Sequence, residues 1–170
     1  LINDYNTFNS EIYYNLPVTY KVGDKMFGGI IFYIDPTGYH GRVMVESSYY
    51  SEIMIWSTDQ VYVNSNDETD SGGGCPTCNT DEDGSDNTQR IIDFYKGSQE
   101  NSPAADYCFN LNINGYDDWY LPTVFEINKA KQIVDLSSSH FWTCTEHNEE
   151  QVWAHKSSGS TSNLDKWANS

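Results

Sequence analysis

Positively charged side chains are scarce in this chain. Its 170 residues include 9 Lys and Arg against 25 Asp and Glu, which gives a net charge of −16. Nucleic-acid binding depends on Lys and Arg to neutralise phosphates, so this deficit argues strongly against a nucleic-acid partner. It argues equally against attraction to anionic membrane surfaces. Two interpretations of the acidity stay open, a solubilising surface and a role in binding cations.

Long hydrophobic runs and catalytic motifs are also absent. The longest apolar stretch, residues 26–34, is far shorter than the roughly 20 residues of a membrane-spanning helix, so we expect no membrane insertion. The four histidines show no HExxH spacing and the chain has no GxSxG, so we predict no enzymatic activity. No signal peptide is recognisable. Because the chain begins with Leu1, as a processed form or a piece of a longer protein would, this does not exclude secretion.

The chain has only four cysteines. Two of them are close together in the sequence Cys75-Pro76-Thr77-Cys78. A four-cysteine zinc site normally presents two close pairs, and a thioredoxin-like motif needs a βαβ setting, so neither is favoured. We predict a local disulfide between Cys75 and Cys78. Cys108 and Cys144 leave two alternatives, a second disulfide or two small buried residues. Disulfides would fit an oxidising, extracellular setting.

What the sequence does contain is aromatic side chains, which make up 15% of it, with 13 Tyr and 5 Trp. This content is typical of a β-rich core or an adhesive surface. The length suits one domain with its own core. We divide the chain into an N-terminal arm or linker at residues 1–17 and a folded domain at residues 18–170.

The most informative segment is residues 114–131. Asn114-Gly115 is a turn dipeptide, and residues 119–121 form an aromatic run that predicts a buried strand ended by Pro122. Thr123 and Glu126 have the spacing of a capping box, which predicts the start of a helix.

The other elements are predicted from local signals, with a serine cap and a first-turn proline starting the second helix at Ser102-Pro103. Residues 57–89 form a long loop with eight acidic residues and no Lys or Arg, and loops longer than about 15 residues are usually functional or disordered. The remaining predictions are a strand at 18–22, a hairpin with strands at 27–35 and 42–47, a strand at 53–56, a helix at 87–95, strands at 141–145 and 151–156, and a loop at 157–162.

The segment at residues 114–131 resembles the signature of the C-type-lectin-like domain that ends bacterial collagen-like adhesins, the Lcl-type domain. Related domains occur in bacterial surface proteins and phage structural proteins. Three further segments resemble this family in the right order, namely residues 25–35, residues 84–91 and residues 141–154. The resemblance implies a mixed α+β fold of the C-type-lectin type and a binding or scaffolding role outside the cell, on a cell surface or virion, without catalysis.

The chain departs from this family in two respects. The family usually closes with one more strand, often containing Arg and Pro, which residues 167–170 do not supply, so we expect an open sheet edge. The Glu-Pro-Asn and Trp-Asn-Asp signature of calcium-bridged sugar binding is missing too. The family's adhesins bind sulfated glycans, a ligand that a net charge of −16 would repel unless a metal intervenes.

Calcium is the candidate cofactor. Residues 79–85 resemble the first half of an EF-hand loop, with oxygen ligands at alternate positions before a glycine. The twelfth position is Arg90, where a bidentate Glu belongs, which breaks the EF-hand pattern. A shorter calcium loop with Asp81, Asp83 and Asp86 as ligands and a merely solvated acidic loop are the two interpretations that remain.

Lectin-like folds gather their long loops at one end, which here would be residues 57–89 and 147–167. Aromatic rings beside carboxylates and amides suit sugar recognition, although a tryptophan more often belongs to the core than to a contact surface. The predicted ligand-binding residues are Tyr62, Asn64, Trp153, His155 and Trp167.

Two functions follow from these patterns. The first is an extracellular module in an adhesin or phage fibre that binds a glycan or surface receptor. The second is a structural subunit of an extracellular filament or virion, in which the arm at residues 1–16 adds a strand to the open edge of the next subunit. In either case we expect a homo-oligomer or fibre.

Overall fold

The computed structural model describes residues 20–49, 53–63, 84–137 and 140–168. These residues form three α-helices and two antiparallel sheets of three strands each. The mixed α+β fold class expected from the sequence is therefore confirmed. The arm predicted at residues 1–17 lies outside the described residues, and the C-type-lectin-like details stay a prediction.

The first sheet is built on the predicted hairpin. Its strands are β1 (Lys25–Met26), β2 (Gly29–Ile34) and β3 (Gly41–Val45), paired in that order. Asp35 closes the turn between β2 and β3, because its carboxylate accepts the Thr37 hydroxyl at 2.7 Å and backbone N–H groups of the turn. The hydrogen bond from Thr37 is the main reason that the pKa of Asp35 lies below its ordinary value.

The second sheet contains one strand that the sequence pattern did not predict. Strands β4 (Phe141–Glu146) and β5 (Gln151–His155) match the predicted strands, and β6 (Thr161–Asp165) pairs with β5 along its full length. We predicted a loop at residues 157–162, which covers the first two residues of β6. The error has a simple cause, because β6 is almost entirely polar and its one large apolar residue, Leu164, leaves no visible alternation.

The helices are α1 (Gly84–Tyr95), α2 (Pro103–Phe109) and α3 (Val124–Ala130). The caps predicted for α2 and α3 are confirmed, whereas Asp86 and Asn87, the cap candidates for α1, lie inside that helix. The Ser102 side chain accepts the Ala105 N–H at the start of α2, and Thr123 and Glu126 form the complete capping box of α3. Among the described residues, none of the helices has the combination of length and apolarity that crossing a membrane requires.

Helix α1 begins three residues earlier than predicted because its first turn packs tightly against the region around α3. A Cβ atom on Gly84 would lie 2.7 Å from the Tyr120 ring, so only glycine fits at this position. The Thr88 hydroxyl in α1 then accepts the Leu121 N–H at 3.0 Å, and its own proton is shared between the Gly84 carbonyl at 2.7 Å and the Leu121 carbonyl at 3.2 Å. The Leu121 backbone is thus bonded by a side chain and not by a neighbouring strand. The aromatic strand predicted at residues 119–121 is an extended segment without a ladder.

The strand predicted at residues 53–56 is also wrong. This segment has no ladder, and Trp56 instead donates its backbone N–H to the carbonyl of Lys166 at 2.7 Å. Residues 20–22 of the strand predicted at 18–22 form a turn region, and the rest of that prediction lies outside the described residues.

The hydrophobic core has two parts. The larger part lies between α1, α2 and the second sheet, and the smaller one joins α3 to both sheets. Burying one large aliphatic or aromatic side chain stabilises a fold by about 1.5–3 kcal/mol, so these clusters supply most of the favourable energy. The larger cluster consists of Trp56, Ile91, Tyr95, Ala104, Ala105, Leu121, Trp142, Cys144, Val152 and Ala154. The smaller one contains Ile127, Val134 and Leu136, with Ile30, Met44 and Phe141 packed against it.

Helix α3 also carries a buried carboxylate that ties it to the first sheet. Glu126 is 1% exposed and pairs with Arg42 of β3 at 2.7 Å. The same carboxylate accepts the Tyr120 hydroxyl at 2.9 Å and the Thr123 N–H at 2.8 Å. Burial, followed by the charge of Glu126, raises the pKa of Tyr120 well above its ordinary value. The capping residue predicted from the sequence is thus also a tertiary anchor.

Candidate functional site

A buried ion pair anchors the segment at residues 53–63 to the second sheet. Lys166, which follows β6, pairs with Glu146 at the end of β4, and both side chains are 0% exposed. Lys166 Nζ also donates to the Val61 carbonyl at 2.6 Å and lies 4.7 Å from the centroid of the Trp56 ring. The Val63 N–H in turn donates to the Glu146 carboxylate at 3.1 Å. Such an array of hydrogen bonds is what a buried charge pair requires.

The same segment is held at three further points. The Trp56 indole N–H donates to the Thr143 carbonyl at 2.8 Å, and the Trp56 carbonyl accepts the Ser102 hydroxyl at 2.5 Å. The Tyr95 hydroxyl donates to Asp59 at 2.5 Å, and burial followed by the hydrogen bond to this carboxylate raises the pKa of Tyr95. Residues 53–63 are therefore structural, although they carry no regular secondary structure.

Two of the predicted ligand-binding residues flank this ion pair. Tyr62 lies between Val61 and Val63, both of which contact the pair, and Trp167 directly follows Lys166 with 42% of its surface exposed. The tertiary fold thus brings Tyr62 and Trp167 to the same end of the second sheet. Asn64 lies outside the described residues.

Trp153 lies on the face of the second sheet that points away from the larger core cluster. Side chains alternate along a strand, and Val152 and Ala154 of β5 point into the larger core cluster. Trp153 is therefore on the outer face, where it is half-buried. The ring of His147 meets it edge to face, with ring centroids 5.5 Å apart. A half-exposed indole in this position can stack on a ligand.

Polar groups lie next to this ring in a fixed arrangement. Asn163 of β6 is directly opposite Trp153 in the sheet, and its Nδ2 donates to Gln151 Oε1 at 2.7 Å. Gln151 Nε2 donates in turn to Asp165 Oδ1 at 3.0 Å. We call the surface formed by His147, Gln151, Trp153, Asn163 and Asp165 the Trp153 face.

The fifth predicted residue, His155, is not available to a ligand. It follows Trp153 on the same side of β5 but is only 1% exposed, because α3 packs against this end of β4 and β5. Its ring lies 6.3 Å from the Phe141 ring, and its Nδ1 has no hydrogen-bond partner among the described residues. The prediction that His155 contacts a ligand is therefore corrected, and we place this residue in the α3 interface.

The surroundings of His155 disfavour its charged form. Burial lowers its pKa below 6.5, and the positive charges of Lys131 and His140 lower it further. The unfolded chain takes up a proton at this residue at a higher pH than the folded chain does. Acidification through pH 6.5 therefore lowers the free energy of unfolding.

The predicted calcium ligands are only partly within the described residues. Asp86 lies in the first turn of α1, where its carboxylate pairs with Arg90 at 2.6 Å, whereas Asp81 and Asp83 are outside the described part. In the part of the chain that the structure describes, no group of three or more His, Cys, Asp or Glu side chains is placed to hold a metal ion. A calcium site formed with the acidic loop stays a prediction.

The two isolated cysteines are not joined to each other. Cys144 is part of the larger core cluster and Cys108 packs against it from α2. Of the two alternatives for Cys108 and Cys144, the structure does not form the disulfide. It supports two small residues in a hydrophobic environment. Burial raises the pKa of the Cys108 thiol to about 12, which makes this thiol a poor nucleophile. Cys75 and Cys78 lie outside the described residues, so their disulfide stays a prediction.

Comparison with known proteins leaves the family open. No protein-family model matches the chain, and no curated protein sequence matches it significantly. The resemblance to the Lcl-type domain consequently stays a hypothesis, and the assignment of a site depends on geometry.

Sequence reasoning missed most of the Trp153 face. His147 and Gln151 could have been found, because they flank or belong to a predicted strand and Gln151 shares a side of it with Trp153. Asn163 and Asp165 could not, since their strand was predicted as loop or left unassigned and their position opposite β5 depends on tertiary pairing.

We expect the buried ion pair to be required for stability. Replacing Lys166 by Met would leave Glu146 buried without its cation and should cost about 3–5 kcal/mol, measured as the free energy of unfolding in urea. Restoring neutrality with Lys166→Met and Glu146→Leu together should recover part of the loss. The matched control is Lys25→Met in the exposed Lys25–Glu46 pair, which should cost less than about 1 kcal/mol. Equal costs in the two single variants would contradict this interpretation.

We also expect His155 to make the fold acid-sensitive. The free energy of unfolding of the native chain should fall between pH 7.5 and pH 5.5, and the fall should be smaller in His155→Leu because the group that gains a proton on unfolding is gone. The control is His40→Leu in the exposed turn after β2. The free energy of unfolding of this variant should fall with pH by as much as that of the native chain. An identical pH dependence in both variants would show that His155 does not contribute.

Proposed function

We propose that this protein is a non-enzymatic, extracellular binding module that recognises a glycan on a cell surface or another surface receptor. The observation that supports this best is the Trp153 face. It combines a half-exposed indole ring with amide and carboxylate groups that already hydrogen-bond one another. The proposal assigns no chemical step to this surface.

The chemistry of the face suits a sugar. The apolar side of a pyranose ring can stack on Trp153, while the hydroxyl groups at its rim reach Asn163 and Asp165. Both side chains are oriented by hydrogen bonds to Gln151 and by the paired strands β5 and β6. Such preorganisation lowers the entropy that binding would otherwise lose in ordering side chains.

The extracellular setting is part of the proposal and is supported by sequence patterns. These are the resemblance to adhesin and phage domains and the predicted disulfide between Cys75 and Cys78. The strongly acidic surface is compatible with a soluble module presented at the end of a longer fibre.

A second candidate function is that of a structural subunit of a filament or virion. One specific observation favours it, because β6 pairs only with β5 among the described residues and so is an edge of its sheet. An edge strand can accept an added strand from another chain. In this candidate function the arm at residues 1–16 of a neighbouring subunit supplies that strand.

The glycan-binding function predicts a specific effect of Trp153. The native chain should bind one or more saccharides on a glycan array, and Trp153→Ala should abolish that binding with an unchanged far-ultraviolet circular dichroism spectrum. The control is Tyr39→Ala, which removes an exposed ring from the β2–β3 turn of the first sheet and should leave binding intact. Should Trp153→Ala destabilise the fold, Asn163→Ala offers a second test, with at least about tenfold weaker binding expected. Full saccharide binding by Trp153→Ala and by Asn163→Ala would rule out this face as the binding site.

The structural-subunit function predicts assembly. Negative-stain electron microscopy of the native chain should show ordered fibres or particles, and deletion of residues 1–16 should reduce them to discrete subunits because the added strand is missing. Adding a calcium chelator to the native chain tests in parallel whether assembly requires a metal ion, which the acidic loop is predicted to bind. Monomers or small oligomers with the arm intact would argue against this function and leave the binding module.

A further inference from the structure

We propose that the Trp153 face selects neutral saccharides and rejects anionic ones, such as sulfated, sialylated or uronic-acid glycans. This inference depends on the proposed glycan-binding function and names the ligand class of that same surface. It follows from the contacts of the positively charged side chains and from the acidic groups beside the face.

All nine Lys and Arg residues lie within the described residues, so their positions can be compared with the face directly. Two are consumed in buried ion pairs, Arg42 with Glu126 and Lys166 with Glu146. Two more form surface pairs, Lys25 with Glu46 and Arg90 with Asp86. A fifth, Lys129, lies over the rings of Tyr33 and Phe125. The other four are Lys21, Lys96, Lys131 and Lys156.

Of these four lysines, the two that are nearest to Trp153 along the chain do not belong to the Trp153 face. Lys156 follows the end of β5, three residues and so about 10 Å from Trp153, and its strand parity is that of the inward-facing Ala154. Lys131 donates from Nζ to the Gly159 carbonyl at 3.3 Å, in the turn beyond His155. Lys156 is thus directed to the other face of the sheet, and Lys131 lies beyond the buried His155.

The charges that do adjoin the face are negative. Asp165 belongs to it and is exposed, and the exposed side chains of Glu149 and Glu150 lie in the turn that leads into β5. Like charges a few ångströms apart repel one another even in high dielectric, so a sulfate or carboxylate placed here loses affinity. The loss should shrink as salt screens the exposed charges.

Hydrogen-bond chemistry points the same way. The Asp165 carboxylate can only accept hydrogen bonds, and one of its oxygens already accepts from Gln151. A ligand that engages its remaining capacity must offer O–H or N–H donors. The hydroxyl groups of a neutral sugar are such donors, whereas sulfate and carboxylate groups provide acceptors only. Charge and hydrogen-bond polarity thus favour the same ligand class.

The test uses the full chain on a glycan array that carries each saccharide in matched neutral, sulfated and sialylated forms. We expect binding to neutral members and roughly tenfold or weaker binding to their anionic counterparts, with the gap narrowing at high salt. Asp165→Asn should narrow the gap, because it removes the charge and adds a donor while keeping the shape. Asp93→Asn on α1 is the matched control and should leave the gap unchanged.

The possible outcomes separate the two proposals. Equal or tighter binding of the sulfated or sialylated members would overturn the ligand class while leaving glycan binding intact. An unchanged preference in Asp165→Asn would show that the selection does not come from this face. Binding to no saccharide at all would reject the glycan-binding function itself, and the inference with it.

Discussion

The fold depends above all on the buried pair of Glu146 and Lys166. A charge removed from water is tolerated only when it meets an opposite charge and its remaining donors or acceptors are satisfied. Here the same ammonium group reaches the Val61 carbonyl, and the same carboxylate accepts the Val63 N–H. A segment without regular secondary structure is thereby held against the sheet, and its Trp56 is fully buried in the larger core cluster. The requirement to satisfy one charge organises residues that are far apart in sequence.

A second buried carboxylate has a similar role on the other side of the molecule. Glu126 caps α3 and simultaneously binds Arg42 of the first sheet and the Tyr120 hydroxyl. The two sheets share no strand, and α3 with its small hydrophobic cluster is what joins them. In a chain with 9 Lys and Arg against 25 acidic residues, placing two of those cations in buried pairs leaves few for the surface. The two buried ion pairs therefore leave the protein surface with fewer positive charges.

The proposed binding surface follows from the way in which the side chains of β5 alternate between two faces of the sheet. One side of β5 supplies Val152 and Ala154 to the core, and the other side presents Gln151 and Trp153. Pairing with β6 sets an amide opposite the indole and a carboxylate opposite the first residue of β5. At the far end of the same strand, α3 covers His155, which limits the surface to one end. Rigid strands, and not long loops, position the groups that we propose to contact the ligand.

Local chemistry in the sequence determined much of this structure. The caps at Ser102 and Thr123 and the β2–β3 hairpin depend on neighbours within a few residues, so their signals are readable along the chain. Only the tertiary structure decided the rest. Strand β6 exists because β5 pairs with it, the Leu121 backbone is bonded by the Thr88 side chain and not by a strand, and His155 is buried because α3 covers it. Each of these outcomes depends on a partner distant in sequence, which no local pattern encodes.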